Sequence, residues 1–261
     1  MTLADDLALA HELADAADEI TLARFGAVDL VVEAKPDLTP VSDADRAVEH
    51  VVRSTLASRR PGDAVLGEED GASGSGSRRW VVDPVDGTKN FVRGVPVWAT
   101  LIALQEDGVV TAGVVSAPAL GRRWWASRGA GAHTGGALAG ARPLHVSRVG
   151  ALPDASVAYS SLTGWDERGR LPGLLRLSSA VWRTRAYGDF WSHVLVAEGA
   201  VDASFEPEVS LWDVAPLQVL VEEAGGRFTD LSGQARPDGG SVVCSNGRLH
   251  DTVLAALAAR A

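Results

Sequence analysis

Residues 80–91 read WVVDPVDGTKNF, from Trp80 to Phe91. Trp80, Val81 and Val82 have the look of the end of a buried strand. Asp83 and Asp86 follow at once, with Pro84 between them and a Gly87-Thr88-Lys89 step behind. A chain that leaves its core for two neighbouring carboxylates brings like charges together. Such a pair calls for something positive between its members.

The pattern recurs on either side of that stretch. DAVLGEED (63–70) reads as a short strand ending in Glu68 and Glu69, and Asp213 in LWDVAP stands where a helix begins. Strand ends and helix starts gather at one edge of an α/β sheet, where ligand crevices form. Oxygen donors with no His or Cys among them suit Mg²⁺ or Mn²⁺ better than zinc. Taken singly, each piece has a plainer reading. GEED is a solvated acidic turn; Asp83 and Asp86 are turn formers or caps. Asp213 is an N-cap that would keep Pro216 in the first helical turn. Their conjunction is what favours a metal site.

The 261 residues, 46% hydrophobic and 22% charged, allow a substantial core. A net charge of -10 disfavours a binder of nucleic-acid backbone. One cysteine, Cys244, excludes an internal disulfide and suits a reducing cytosol. The acidic start MTLADDLALAHEL is unlike a signal peptide, and no run approaches a membrane span, so a cytoplasmic protein is expected.

Apolar spacing predicts a first helix over 3–25, closed by Gly26, and a second capped by Ser42. GASGSGS (71–77) reads as a flexible loop, and VWATLIALQ, VVTAGVVSA and RRWWASRG read as strands. Residues 129–142 read as a hairpin or loop. From 150 onward strands alternate with helices: ASVAYSS, the loop GWDERGRLPG, AVWRTRAY, helix FWSHVLVAEG, VDASFEP, helix VAPLQVLVEEAGG, two strands and a last helix from about His250. This predicts an N-terminal α+β part (1–148) carrying most of the acids and a C-terminal α/β part (149–261) carrying Asp213, in one compact unit. Most of the eight tryptophans are expected in packing; Trp165, in a polar loop, is expected to be exposed as a lid or dimer contact.

GEE (67–69), WVVDPVDGTKNF (80–91) and WDVAPLQVLVEEAGG (212–226), in that order, resemble the inositol monophosphatase family of Mg²⁺-dependent phosphomonoesterases. TPVSDADRAVE (39–49) and GDFWSHVLVAEGAVDASFEP (188–207) extend the resemblance to nearly the whole chain. It implies a layered αβαβα sandwich, a homodimer, and two or three Mg²⁺ per site. It makes Glu68, Asp83 and the Val85 carbonyl ligands of one metal, and Asp83, Asp86 and Asp213 ligands of a second. Glu69 would serve a third metal or its water. Asp45 and Thr88 would orient the attacking water, with Glu68 beside them. Gly87 and Thr88 amides would receive phosphate. For Lys35 a phosphate contact and a solvated loop charge both stand open, and Lys89 is placed near the phosphate with its direction open.

The alcohol pocket would fall to the second half. Glu206 matches the family carboxylate that contacts the leaving alcohol, and Asp189 beside it makes that wall acidic; Asp189 also fits a helix N-cap. Arg185, in RAYGDF, is expected at the substrate as well. An acidic wall suits the ammonium and imidazole of histidinol phosphate better than the hydroxyls of an inositol phosphate. RAYGDF, LVAEGAVD and KPDLTPVSDADRAVE are similar to the histidinol-phosphatases of this fold, those of actinobacteria above all. An inositol-1-phosphatase and a non-catalytic regulatory member stay as alternatives. Pure scaffolding is disfavoured, because a scaffold has no evident need of five clustered carboxylates.

Overall fold

The computed structural model describes residues 2–36, 38–136 and 140–258. Helix α1 (Leu3–Arg24) is capped by Thr2, which exchanges bonds with Asp5 in a capping box. A hairpin, β1 (Val32–Ala34) and β2 (Pro40–Ser42), leads into α2 (Asp43–Arg59). Then come β3 (Ala64–Gly67), β4 (Gly71–Ser73), β5 (Arg78–Asp86), the short α3 (Thr88–Val92), β6 (Ala99–Glu106), β7 (Val109–Ala117), β8 (Arg122–Ser127), β9 (Gly131–Thr134) and β10 (Arg142–Pro143). These strands form an eight-stranded sheet in the order β10-β9-β8-β7-β6-β5-β3-β4. Among the described residues of this sheet, β3 and β5 pair in parallel and the other neighbours are antiparallel.

The second half supplies β11 (Ser156–Tyr159), α4 (Leu162–Glu167), α5 (Leu171–Ala180), β12 (Arg183–Arg185), α6 (Asp189–Ala197), β13 (Ala203–Glu206), α7 (Leu211–Glu223), β14 (Arg227–Thr229), β15 (Val242–Ser245) and α8 (His250–Ala258). Its five strands run β12-β11-β13-β15-β14.

Side-chain alternation along β5 explains the stacking. Trp80 and Val82 point to one face, where Leu9 and Leu13 of α1 and Val48, Val52 and Leu56 of α2 cover them. Val81 points to the other, into a core with Val194 of α6 and Leu217 and Leu220 of α7. Phe228, Val242 and Cys244 of the second sheet close that same core from beyond. The second sheet's far face carries Val157, Phe205 and Val243 against Trp165 of α4, Leu174 of α5 and Val253 of α8. The layers therefore run helix, sheet, helix, sheet, helix, as expected.

Several local expectations change. GASGSGS is not simply a loop, because Gly71–Ser73 pairs antiparallel with β3 as the sheet's edge. GWDERGRLPG folds into helices, and the strand foreseen in AVWRTRAY shortens to Arg183–Arg185 because Ala180 ends α5. Trp165 is fully buried, edge-on to Phe205, so its polar neighbours face outward while it fills the core; the exposed tryptophan is Trp182. Residues 137–139, within the stretch expected as a hairpin or loop, lie outside the described residues; the flanking β9 and β10 pair as a hairpin. Helix α7 starts two residues before Asp213, capped by Ser210, which leaves Pro216 inside the helix. That costs the helix one bond, to the Trp212 carbonyl. The proline backbone packs so closely on β7 that a Cβ on Gly113 would lie 2.7 Å from Pro216 Cα.

Candidate active site

Strand β5 keeps step with β6 from Arg78 opposite Glu106 to Asp83 opposite Leu101, and then slips so that Asp86 faces Ala99. The extra residue is a bulge, which re-aims side chains at a strand end. Thr100 Oγ1 donates to the Pro84 carbonyl (2.8 Å) and the Val85 amide donates to Asp83 Oδ1 (3.0 Å), which fixes it. Gly87 then turns with φ +85°, and α3 opens at Thr88. A side chain at Gly87 would press on the Val97 carbonyl, 3.1 Å away, in addition to its backbone strain.

Three of the aspartates hold helix starts. Asp45 is the third residue of α2, and its Oδ2 accepts from the Ser42 amide (2.8 Å) and hydroxyl. Asp213 holds the matching place in α7, with Oδ2 accepting from the Ser210 amide (2.7 Å). Asp86 Oδ2 accepts from the Phe190 amide (2.6 Å) at the start of α6. A carboxylate at a helix N-terminus is favoured by the amides there and by the dipole. Asp45 Oδ1 also receives the Thr88 hydroxyl at 3.3 Å, a long bond, while that hydroxyl sits 2.9 Å from the Val85 carbonyl.

Glu68 and Glu69 follow β3, and the turn that presents them is pinned from below by Glu49. This fully buried carboxylate of α2 accepts the Glu69 amide (2.8 Å) and the Asp70 amide (3.0 Å), and pairs with Arg53 (2.6 Å). A Cβ on Gly67 would overlap it. From the other side Lys35 Nζ reaches Glu68 (2.7 Å) and Glu69 (2.8 Å).

The acids form one electrostatic cluster. Burial, then Glu68, Asp86, Asp213 and Asp45, push the Asp83 carboxyl well above its ordinary range. Burial, then Asp189 and Asp213, do the same to Asp86. Asp213 is raised to about 7 by burial, with Glu68 and Glu206 adding to the effect. Burial also raises Asp45 and Glu69. Among the described residues no cationic side chain stands at salt-bridge distance from Asp83, Asp86 or Asp213; Lys35 serves only Glu68 and Glu69. Nor do three acidic, His or Cys side chains already stand as a ligating set among those residues, and Glu68 is hydrogen-bonded to Lys35. Buried carboxylates that repel one another, without a cation from the chain, are a donor set that fits a hard divalent ion.

Beside them opens a cleft of about 700 Å³, lined among others by Lys35, Glu68, Thr88, Asp189, Glu206 and Asp213. A smaller recess joins Asp86 and Asp213 to Asp189, His193 and Glu206. Gly188, not Asp189, caps α6; Asp189 is its first residue, at φ +50°, with Oδ2 3.4 Å from Asn90 Nδ2. Burial and then Glu206 raise its pKa to about 6. Lys89 and Gly87 also line the cleft. Arg185 does not: it sits exposed on β12, its Nη1 on the Thr184 carbonyl, beside Trp182. Sequence reasoning missed Glu49 and His193. For Glu49 the only signal was an acid four residues before Arg53 on a helix; His193 had none.

The chain belongs to the inositol monophosphatase family, whose model matches residues 3–261. Over 254 residues, 96% of each chain, it is 61% identical to the histidinol-phosphatase of Streptomyces coelicolor. It is 62% identical over 256 residues to that of Mycobacterium tuberculosis, covering 97% of this chain and 98% of the other. The solved structure of an inositol monophosphatase from Zymomonas mobilis matches with a TM-score of 0.87 at 30% identity, covering 98% of this chain and 99% of that one.

Proposed function

We propose that this chain, a phosphoric monoester hydrolase of the inositol monophosphatase family, hydrolyses L-histidinol phosphate to L-histidinol and phosphate in histidine synthesis. The observation that carries the reading is identity above 60% to two histidinol-phosphatases over nearly their whole length. The acidic cleft wall of Asp189 and Glu206 supports it, because an ammonium or imidazolium would offset the burial and the Glu206 repulsion that raise the Asp189 pKa.

On this reading residues 1–148 supply Glu68, Glu69, Asp83, the Val85 carbonyl and Asp86, and residues 149–261 add Asp213, as holders of two or three Mg²⁺. The bound ions would supply charge neutralisation at the phosphate and a more acidic water. The chain's own groups do the rest. The Thr88 hydroxyl donates inward, toward Val85 and Asp45, so its lone pairs are free to accept from the attacking water. Asp45 is the base behind it. Gly87 and Thr88 amides receive phosphate oxygens, and Lys35 turns from the glutamates to the phosphate. We take the working unit to be a homodimer in the cytoplasm, as the family likeness implies.

The test is phosphate release from L-histidinol phosphate, inositol 1-phosphate and adenosine 3′,5′-bisphosphate with Mg²⁺ present. Histidinol phosphate should have the highest kcat/KM, and excess chelator should abolish turnover until Mg²⁺ is restored. A preference for inositol 1-phosphate would overturn the substrate; full activity in chelator would overturn the metal chemistry.

A further inference from the structure

His193 lies four residues after Asp189 on α6, on the same helix face and over the same recess. It is 1% exposed, and both ring nitrogens are engaged: Nδ1 with Ser204 Oγ (2.8 Å) and Nε2 with Glu206 Oε1 (3.1 Å). Ser204 and Glu206 are alternate residues of β13, so they present themselves to the ring from one side of the strand. A carboxylate can only accept, whereas a hydroxyl can donate or accept. The Nε2 hydrogen therefore goes to Glu206 whether the ring is neutral, with Ser204 donating to Nδ1, or charged, with Nδ1 donating to Ser204. Glu206 Oε1 is thus held in one place, while Oε2 has no protein hydrogen-bond partner among the described residues.

We propose that His193 is a positioning residue for substrate choice: it clamps one oxygen of Glu206 so that the other, together with Asp189, faces the cationic end of the leaving alcohol. The proposal rests on the histidinol phosphate reading above. It assigns His193 no part in the phosphate chemistry. If the ring were only a pin between α6 and β13, its loss would lower stability and affect every substrate alike. If it aims Glu206, its loss falls on the alcohol that Glu206 reads.

The experiment compares wild type, His193→Leu, His193→Gln and Ser204→Ala on L-histidinol phosphate and p-nitrophenyl phosphate, with Tm measured beside the kinetics. His193→Leu should lower kcat/KM for histidinol phosphate by roughly ten- to a hundredfold, the size of one charge-assisted bond, chiefly through KM. Its loss on the aryl phosphate should be at least several times smaller. His193→Gln, which keeps an N–H donor, should regain much of the difference. Ser204→Ala removes only the hydroxyl that orients the ring and should show a smaller loss with the same selectivity, which keeps the question answerable if the leucine variant folds poorly. Equal losses on both substrates, or an unaltered KM for histidinol phosphate, would overturn the proposal. A wild type that prefers inositol 1-phosphate would instead overturn the function on which it rests, and the proposal with it.

Discussion

Asp213 divides its two carboxylate oxygens between the fold and the site. Oδ2 accepts the Ser210 amide and starts α7, and the other oxygen is left to the acidic cluster. Asp45 and Asp86 are divided in the same way, at the starts of α2 and α6. The charge of Asp213 is a burden without a cation. Its pKa in the fold is about 7 against an ordinary 3.8, so its contribution to stability is full below 3.8 and is lost as pH rises through 7. An amide in its place still accepts the Ser210 N–H and carries no charge. In chelator at pH 8, Asp213→Asn should therefore raise Tm, at about 2–4 °C for each kcal/mol relieved. Mg²⁺ should stabilise the variant less than the wild type. Phosphatase turnover should fall by more than the roughly 10–100-fold typical of losing a partner behind a metal ligand. Scanning calorimetry with and without Mg²⁺ reads the first two effects; a lower Tm for the variant in chelator would show that the charge is already neutralised within the protein.

Strand β3 reaches the site only because Gly67 has no side chain. Glu49 lies against that backbone, tied to the Glu69 and Asp70 amides and to Arg53, so a methyl group at 67 has no flexible neighbour to displace. Gly67→Ala should cost at least about 2 kcal/mol through overpacking and strained bonds to a buried charge. It should also lower the apparent Mg²⁺ affinity, because the Glu68 turn is what moves. Urea unfolding checks the first effect and Mg²⁺ titration of activity the second; an unchanged midpoint would mean that Glu49 yields freely. At this scale the sequence was readable where one signal dominated. An apolar run announced the end of β5, β-rich segments between Gly and Asp turns announced β6 to β8, and apolar spacing announced α1 and α2. It misled where composition and burial part company. The polar residues around Trp165 suggested a loop, yet they are the wet side of two short helices whose dry side is Trp165, Leu174 and Leu177. Gly71 and Ser73 looked flexible, yet they have a strand to pair with. Pro216 looked like a first-turn residue because Asp213 was taken for the cap, when the cap was Ser210. The acids of the candidate site stood out as a group because their motifs occur together; His193 did not, and Glu49 showed only its i,i+4 spacing to Arg53, since a contact across 13 or 20 residues leaves no local mark.

Across the whole molecule, five layers leave two histidines buried and neutral. His11 is held at a pKa of about 4 by burial and by Arg123, and His250 likewise by burial and by Arg227. Both are depressed from 6.5, so their contribution is complete above 6.5 and is lost as pH falls toward 4, where only the unfolded chain takes up the protons. With Mg²⁺ saturating, stability should decline between pH 6.5 and 4, and His250→Gln should flatten that decline even though it loses the bonds to Ser245 and Thr229. Chemical denaturation at pH 7 and pH 5 measures the difference; equal slopes for wild type and variant would refute the assignment. The five-layer order itself was foreseeable from the family resemblance, since strand and helix order alone do not say which faces meet. The helix-starting aspartates carry a further consequence, for how such sequences are sorted into enzymes and non-enzymes. Five clustered acids looked needless in a scaffold, yet two of them, Asp86 and Asp213, hold helix starts, and Asp45 beside them holds a third. A descendant that abandoned catalysis would still be selected to keep a helix-starting acceptor, aspartate or asparagine, at positions 45, 86 and 213. Counting those aspartates therefore overestimates how many relatives turn over substrate. On the proposed function Thr88 and Glu68, whose side chains accept no helix-start amide, would be the better markers of a living enzyme.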